Sequence, residues 1–87
     1  MITDIKLSNR DRRVLTVLLT DAKNLSGWPL AKLSKTSAAR VYVVLSRLER
    51  ADLVTSEWED GPDPRRRFYR LTSEGRIWAM SALGLKG

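Results

Sequence analysis

Apolar residues first recur at helical spacing between positions 8 and 20, where Val14, Leu15, Leu18 and Leu19 fall at i, i+1, i+4 and i+5 and make one stripe. Ser8 followed by Asp11 reads as a capping box: the hydroxyl accepts from the third backbone amide, and the carboxylate suits the positive helix end. A first helix is predicted from there to about Asp21 or Ala22, with Arg10, Arg12 and Arg13 facing solvent. Asn24 to Gly27 has turn chemistry, and Pro29 suits the first turn of a second helix because its missing amide hydrogen has no helical partner there. Leu30, Ala31 and Leu33 supply the buried side of that short helix. The Ser34-Lys35-Thr36-Ser37 cluster then breaks the pattern and forms a turn.

Ser37 is the expected N-cap of a third helix over 37–51, in which Val41, Val44, Leu45 and Leu48 recur at i, i+3, i+4 and i+7 and face inward. Ala39, Tyr42, Val43, Ser46, Arg47 and Arg50 then lie on the outward side, with Arg40 on the flank. Asp52 follows the last periodic residue, where a left-handed residue is usual and glycine or asparagine would be easier. Leu53 to Trp58 and Arg67 to Leu71 are β-prone runs, separated by the breaker-rich Asp60-Gly61-Pro62-Asp63-Pro64-Arg65 that closes a hairpin. Thr72 to Glu74 offers a further N-cap, and Ile77, Trp78, Met80, Ala82 and Leu83 form a last helix that frays by Gly84. Helix, turn, helix, strand, basic loop and strand in that order predict a mainly α fold with a small β-hairpin (α+β). The architecture is a winged helix-turn-helix: a three-helix core, a two-stranded wing and a short C-terminal helix, all in one domain over 1–87.

Composition agrees with one small soluble domain, because 87 residues bury a single modest core. No run approaches the roughly 18 apolar residues of a membrane span, so no membrane partner is expected. An acid at Asp4 and the lack of a long apolar run near the N-terminus argue against a secretory signal and for a cytoplasmic protein. Cysteine and histidine are both absent, which removes disulfides, thiolate metal sites and the commonest general base. No enzyme activity, cofactor or metal is therefore expected. Sixteen basic against 10 acidic residues leave a formal charge of +6, which favours a polyanionic partner.

The chain resembles the PadR-like winged-helix transcriptional regulators from about Leu15 to Gly75. The resemblance rests on Leu25-Ser26-Gly27 leading into Leu30-Ala31, on Val41-Tyr42 with Leu45, and on Arg47-Leu48-Glu49 and Leu53-Val54. It continues through Ser56-Glu57-Trp58 and Arg66-Arg67-Phe68-Tyr69-Arg70-Leu71-Thr72 with Gly75. It implies a winged-helix fold, operator binding as a dimer, and usually repression. Val43 and Asp52 stand where the family often has Pro and Gly, and only 15 residues follow Thr72 where relatives append a long dimerising helix. Three routes to pairing stay open: a homodimer through the first and last helices, spacing imposed by DNA, or a partner protein.

The expected partner is double-stranded DNA, with the helix at 37–51 in the major groove and the wing at 59–67 on the backbone or minor groove. Arg65, Arg66 and Arg67 are the wing candidates; the bland alternative is neutralisation by Glu57, Glu59, Asp60 and Asp63. Strand alternation allows only two of the three arginines to share a surface. Ser37, Ala39, Arg40 and Arg47 are candidates for base or sugar contact from the third helix, Tyr42 for a phosphate and Val43 for an exposed contact. Arg50 lies farther from the docking end, and Glu49 and Asp52 could simply balance these cations. Lys32, Lys35 and Thr36 fall where the resemblance implies backbone-phosphate contacts. Trp28, Trp58 and Trp78 are read as filling the core edge, the alternative being a flat aromatic effector held between tryptophans, as in some relatives. The rival function is a winged-helix protein-interaction module using Val43 and the tryptophans; an enzyme built on Glu57, Glu59 or Asp60 with Lys35 has no paired spacing to support it.

Overall fold

Ser8 and Asp11 form the reciprocal cap that their spacing predicts: the Ser8 amide donates to Asp11 Oδ2 at 3.0 Å and the Asp11 amide donates to Ser8 Oγ at 3.2 Å. The computed structural model describes residues 5–20 and 25–84, without the side chains of Leu25 and Trp28. Helix α1 (Asn9–Thr20) follows that cap, and its predicted end at Asp21 or Ala22 lies outside the described residues. Helix α2 (Gly27–Ser34) and helix α3 (Ala38–Arg50) come next, the second capped by Ser37, whose hydroxyl accepts from the Arg40 amide. Strands β2 (Val54–Trp58) and β3 (Arg67–Leu71) form the wing, and α4 (Ser73–Ala82) starts on Thr72, whose hydroxyl accepts from the Gly75 amide.

One strand escaped the sequence reading. Leu25–Ser26, expected as turn, is β1, pairing antiparallel with β3 through Leu25 opposite Tyr69 and Ser26 opposite Phe68. Two residues are too few to display a period of two. The sheet order is β1-β3-β2, so β1 covers the edge of the wing strand that faces away from β2. Helix α2 correspondingly begins two residues before Pro29, which still occupies the first turn.

Both α2 and α3 end on a left-handed residue that is not glycine: Lys35 at φ 55° and Asp52 at φ 59°. The compensating bonds are those of a Schellman motif, with Thr36 N donating to Ala31 O at 3.0 Å and Leu53 N donating to Leu48 O at 2.9 Å. Leu53 then turns inward and is buried.

The core gathers Val14, Leu15 and Leu18 of α1, Leu30 of α2, the four predicted α3 residues, Leu53, Val54, Tyr69 and Leu71, and Ala79 of α4. One expected core residue lies outside it. Leu33 is 55% exposed, because the inward line of α2 runs through Leu30 and Ser34, and Leu33 sits about 80° from its centre. Ser34 is buried there instead, its hydroxyl donating to Leu30 O at 2.6 Å. Ile77 is 72% exposed, the inward position of α4 belonging to Ala79 two residues on.

Candidate nucleic-acid interface

The outward face of α3 is as the period predicts: Ala39, Tyr42, Val43, Ser46, Arg47 and Arg50 are all exposed. The guanidinium groups of Arg47 and Arg50 have no partner among the described residues. Arg40 differs. Its Nε donates to Asp11 Oδ1 at 3.0 Å and its terminal nitrogen to Asp11 Oδ2 at 3.1 Å, a two-pronged pair across the α1–α3 contact. The group expected to reach guanine edges is therefore engaged by a buried carboxylate of α1.

The turn between α2 and α3 is also held from α1. Arg13, expected to face only solvent, donates from Nε to Ser34 O at 2.9 Å, satisfying a carbonyl at the negative end of α2. Thr36 is buried and its hydroxyl donates to Ser34 O at 3.1 Å, so its expected phosphate contact is corrected to a role inside the turn. Lys32, Lys35 and Ser37 stay exposed beside it.

In the wing, pairing sets Ser56 opposite Tyr69 and Trp58 opposite Arg67, all on the face that carries Val54 and Leu71 into the core. Arg67 lies against α3: its Nε donates to Ser56 Oγ at 2.9 Å and its terminal nitrogen to Glu49 Oε2 at 3.2 Å. Ser56 Oγ in turn donates to Glu49 Oε2 at 2.7 Å. The Arg67 guanidinium sits 5.4 Å from the Trp58 ring centroid and 5.8 Å from that of Tyr69. Burial raises the Tyr69 hydroxyl pKa above its ordinary value, the charge of Arg67 pulling the other way, so the phenol stays neutral. Trp58 is 59% exposed, which corrects its expected place at the core edge.

The other two wing arginines are exposed. Arg65 pairs with Asp63 at 3.3 Å on the open loop, a solvent-screened contact, and Arg66 has no side-chain partner among the described residues. Of the four acids proposed to neutralise the arginine run, Asp63 does so for Arg65, while Glu57 faces Arg70 at 3.5 Å on the opposite face of the sheet. An open groove of about 870 Å³ runs between α3 and the wing, lined by Tyr42, Ser46, Trp58 and the three arginines and by no carboxylate. A second groove of about 860 Å³ lies between the segment before α1 and α4, where Leu7, Ile77 and Trp78 present apolar surface. The side chain of Trp28 lies outside the described residues, and no helix among them is long and apolar enough to cross a membrane.

Residues 29–79 match the model of the transcriptional regulator PadR-like family. Among curated proteins none matches the chain. The chain is similar to the transcriptional regulator PA4135, at 28% identity and a TM-score of 0.73, over 90% of this chain and 56% of that one. It is also similar to a MarR family regulator from Silicibacter pomeroyi DSS-3, at 32% identity and a TM-score of 0.66, over 90% of this chain and 53% of that one. A PadR family regulator from Eggerthella lenta DSM 2243 matches at 28% identity and a TM-score of 0.72, over 87% of this chain and 72% of its own. The chain thus spans little more than half the length of the first two regulators.

Proposed function

The chain belongs to the transcriptional regulator PadR-like family, and we propose that it binds double-stranded DNA sequence-specifically and acts as a repressor. In this reading α3 enters the major groove and the β2–β3 loop lies on the flanking backbone or in the minor groove. One observation carries the proposal: the exposed face of α3 adjoins a groove rimmed by Arg65, Arg66 and Arg67 with no acid in its lining. A field of that sign attracts phosphate, and an exposed helix face of small, hydroxyl and arginine side chains can follow base edges. Arg47 takes the base-reading role that the sequence assigned jointly to Arg40, because its guanidinium is exposed and unengaged. Arg66, Arg65, Lys35, Lys32, Ser37 and Tyr42 are proposed to contact phosphate or sugar, with Ala39 and Val43 lying against the groove floor.

A second copy is proposed to pair along α1 and α4, where Ile77 is exposed beside the apolar groove. The reading places the protein with the chromosome in the cytoplasm.

Titration of duplex DNA at several salt concentrations tests this reading. Arg66→Ala should weaken every sequence alike and lower the slope of log K against log salt by about one, whereas Arg47→Ala should cost about 1–3 kcal/mol on the preferred site and relax base preference. Two chains per selected site are expected in the mass of the complex. A rival reading, a protein-interaction module, draws on Val43 at 48% and Trp58 at 59% exposure. It requires that duplex binding be weak and independent of Arg47.

A further inference from the structure

Glu49 poses a problem for any face meant to meet phosphate, since it puts a carboxylate on the flank of α3 between Arg47 and Arg50. It is only half-buried, and water alone could solvate it. Instead one oxygen, Oε2, accepts from both Ser56 of β2 and Arg67 of β3. Three elements thus converge on one atom. Arg67 closes the arrangement, donating to Ser56 as well as Glu49 while lying near the rings of Trp58 and Tyr69.

These residues stand where the hairpin leaves the core. Val54, Leu71 and Tyr69 are buried at its root and β1 pairs with β3 as far out as Phe68, but beyond Phe68 the ribbon is two-stranded and carries no buried residue until the loop closes with Glu59 N donating to Arg66 O at 2.7 Å. A two-stranded ribbon without packing on a core is only marginally ordered. The polar cluster ties the outer part of the wing to α3.

We propose that Arg67 is a positioning residue that touches no DNA: with Glu49 and Ser56 it fixes the wing relative to α3, setting where Arg65 and Arg66 fall beside the groove that α3 enters. The sequence placed Arg67 among the DNA contacts; its geometry gives it this other task. The inference rests on the duplex-binding reading above and sharpens it. It also makes a prediction opposite in sign to plain electrostatics. If Glu49 merely repelled phosphate, removing it would tighten binding; if it anchors the wing, removing it loosens the wing and weakens binding.

Glu49→Ala, Arg67→Ala, the double variant and the milder Ser56→Ala separate these outcomes in the full chain, using a mixed-sequence duplex at several salt concentrations. Each single change is expected to lower affinity about three- to tenfold, and the double variant no further than the worse single, because interacting residues are not additive. The salt slope should stay at the parent value, in contrast to Arg66→Ala. Tighter binding by Glu49→Ala, or a slope reduced by about one in Arg67→Ala, would overturn the proposal. Backbone nitrogen relaxation of residues 59–66 in the free chain tests the coupling without DNA. Faster loop motion, equal in both single variants and their double, supports it; unchanged motion in Ser56→Ala and Glu49→Ala overturns it. A parent chain that bound no duplex would sink the functional reading, while the relaxation arm would still decide whether the wing is anchored in this way.

Discussion

Gly75→Ala is expected to lower the melting temperature by about 8–16 °C, although alanine is the better helix former. Gly75 is buried in the first turn of α4, and a β-carbon there would fall inside the van der Waals contact of the Leu53 carbonyl oxygen. That oxygen is backbone and already accepts from the Thr72 amide at 3.0 Å, so it cannot swing aside without breaking the bond that seats α4 on the end of α3. Helix propensity favours the substitution by about 1 kcal/mol, whereas forced overpacking costs about 3 kcal/mol. The net of about 2 kcal/mol converts to the stated shift for a domain of this size. Gly27→Ala makes the control. The atoms nearest its β-carbon would be the ring end of Tyr42, a side chain that is 48% exposed and free to rotate away, so a much smaller shift is expected. Thermal unfolding of both variants measures the contrast, and equal shifts would contradict it.

Arg40→Ala is expected to destabilise by about 3 kcal/mol, more than Asp11→Ala. Removing one partner of a buried pair leaves the other uncompensated, at about 3–5 kcal/mol when the survivor is fully enclosed. The two partners here are unequal, with Asp11 at 1% and Arg40 at 36% side-chain exposure. In Arg40→Ala the stranded group is a carboxylate set into the α1–α3 contact, with the Ser8 amide as its remaining partner. In Asp11→Ala the guanidinium can turn outward and be hydrated, and the loss is that of the cap together with a screened pair, about 2 kcal/mol. Denaturant unfolding of the two singles and the double checks this, the double being less harmful than the sum. Arg40→Ala should also weaken DNA binding by tilting α3, yet leave base preference unchanged, which distinguishes it from Arg47→Ala.

These effects show where sequence reading succeeds and where it stops. The capping box at Ser8 and Asp11, the Ser37 and Thr72 caps, the inward stripe of α3 and the two wing strands all depend on residues within a few positions of one another, and spacing alone locates them. The left-handed Asp52 belongs to the same class. The partners of the arginines do not. Arg40 finds Asp11 across 29 residues, Arg13 finds Ser34 across 21 and Arg67 finds Glu49 across 18. Periodicity said that these side chains leave the core, but which cations stay open and which are engaged depends on helices packing side by side. Strand β1 was missed because its partner, β3, lies more than 40 residues along the chain and its own two residues carry no pattern. Leu33 reads as inward by type, but Ser34 occupies the buried position of that turn.

The most direct test is a map of backbone amide shifts on adding a duplex carrying a selected site. The account predicts perturbations concentrated at residues 35–50 and 59–67, with α4 responding only through any contact with a second copy. Perturbations confined to Leu7, Ile77 and Trp78 beside the other groove, with α3 and the wing silent, would contradict it.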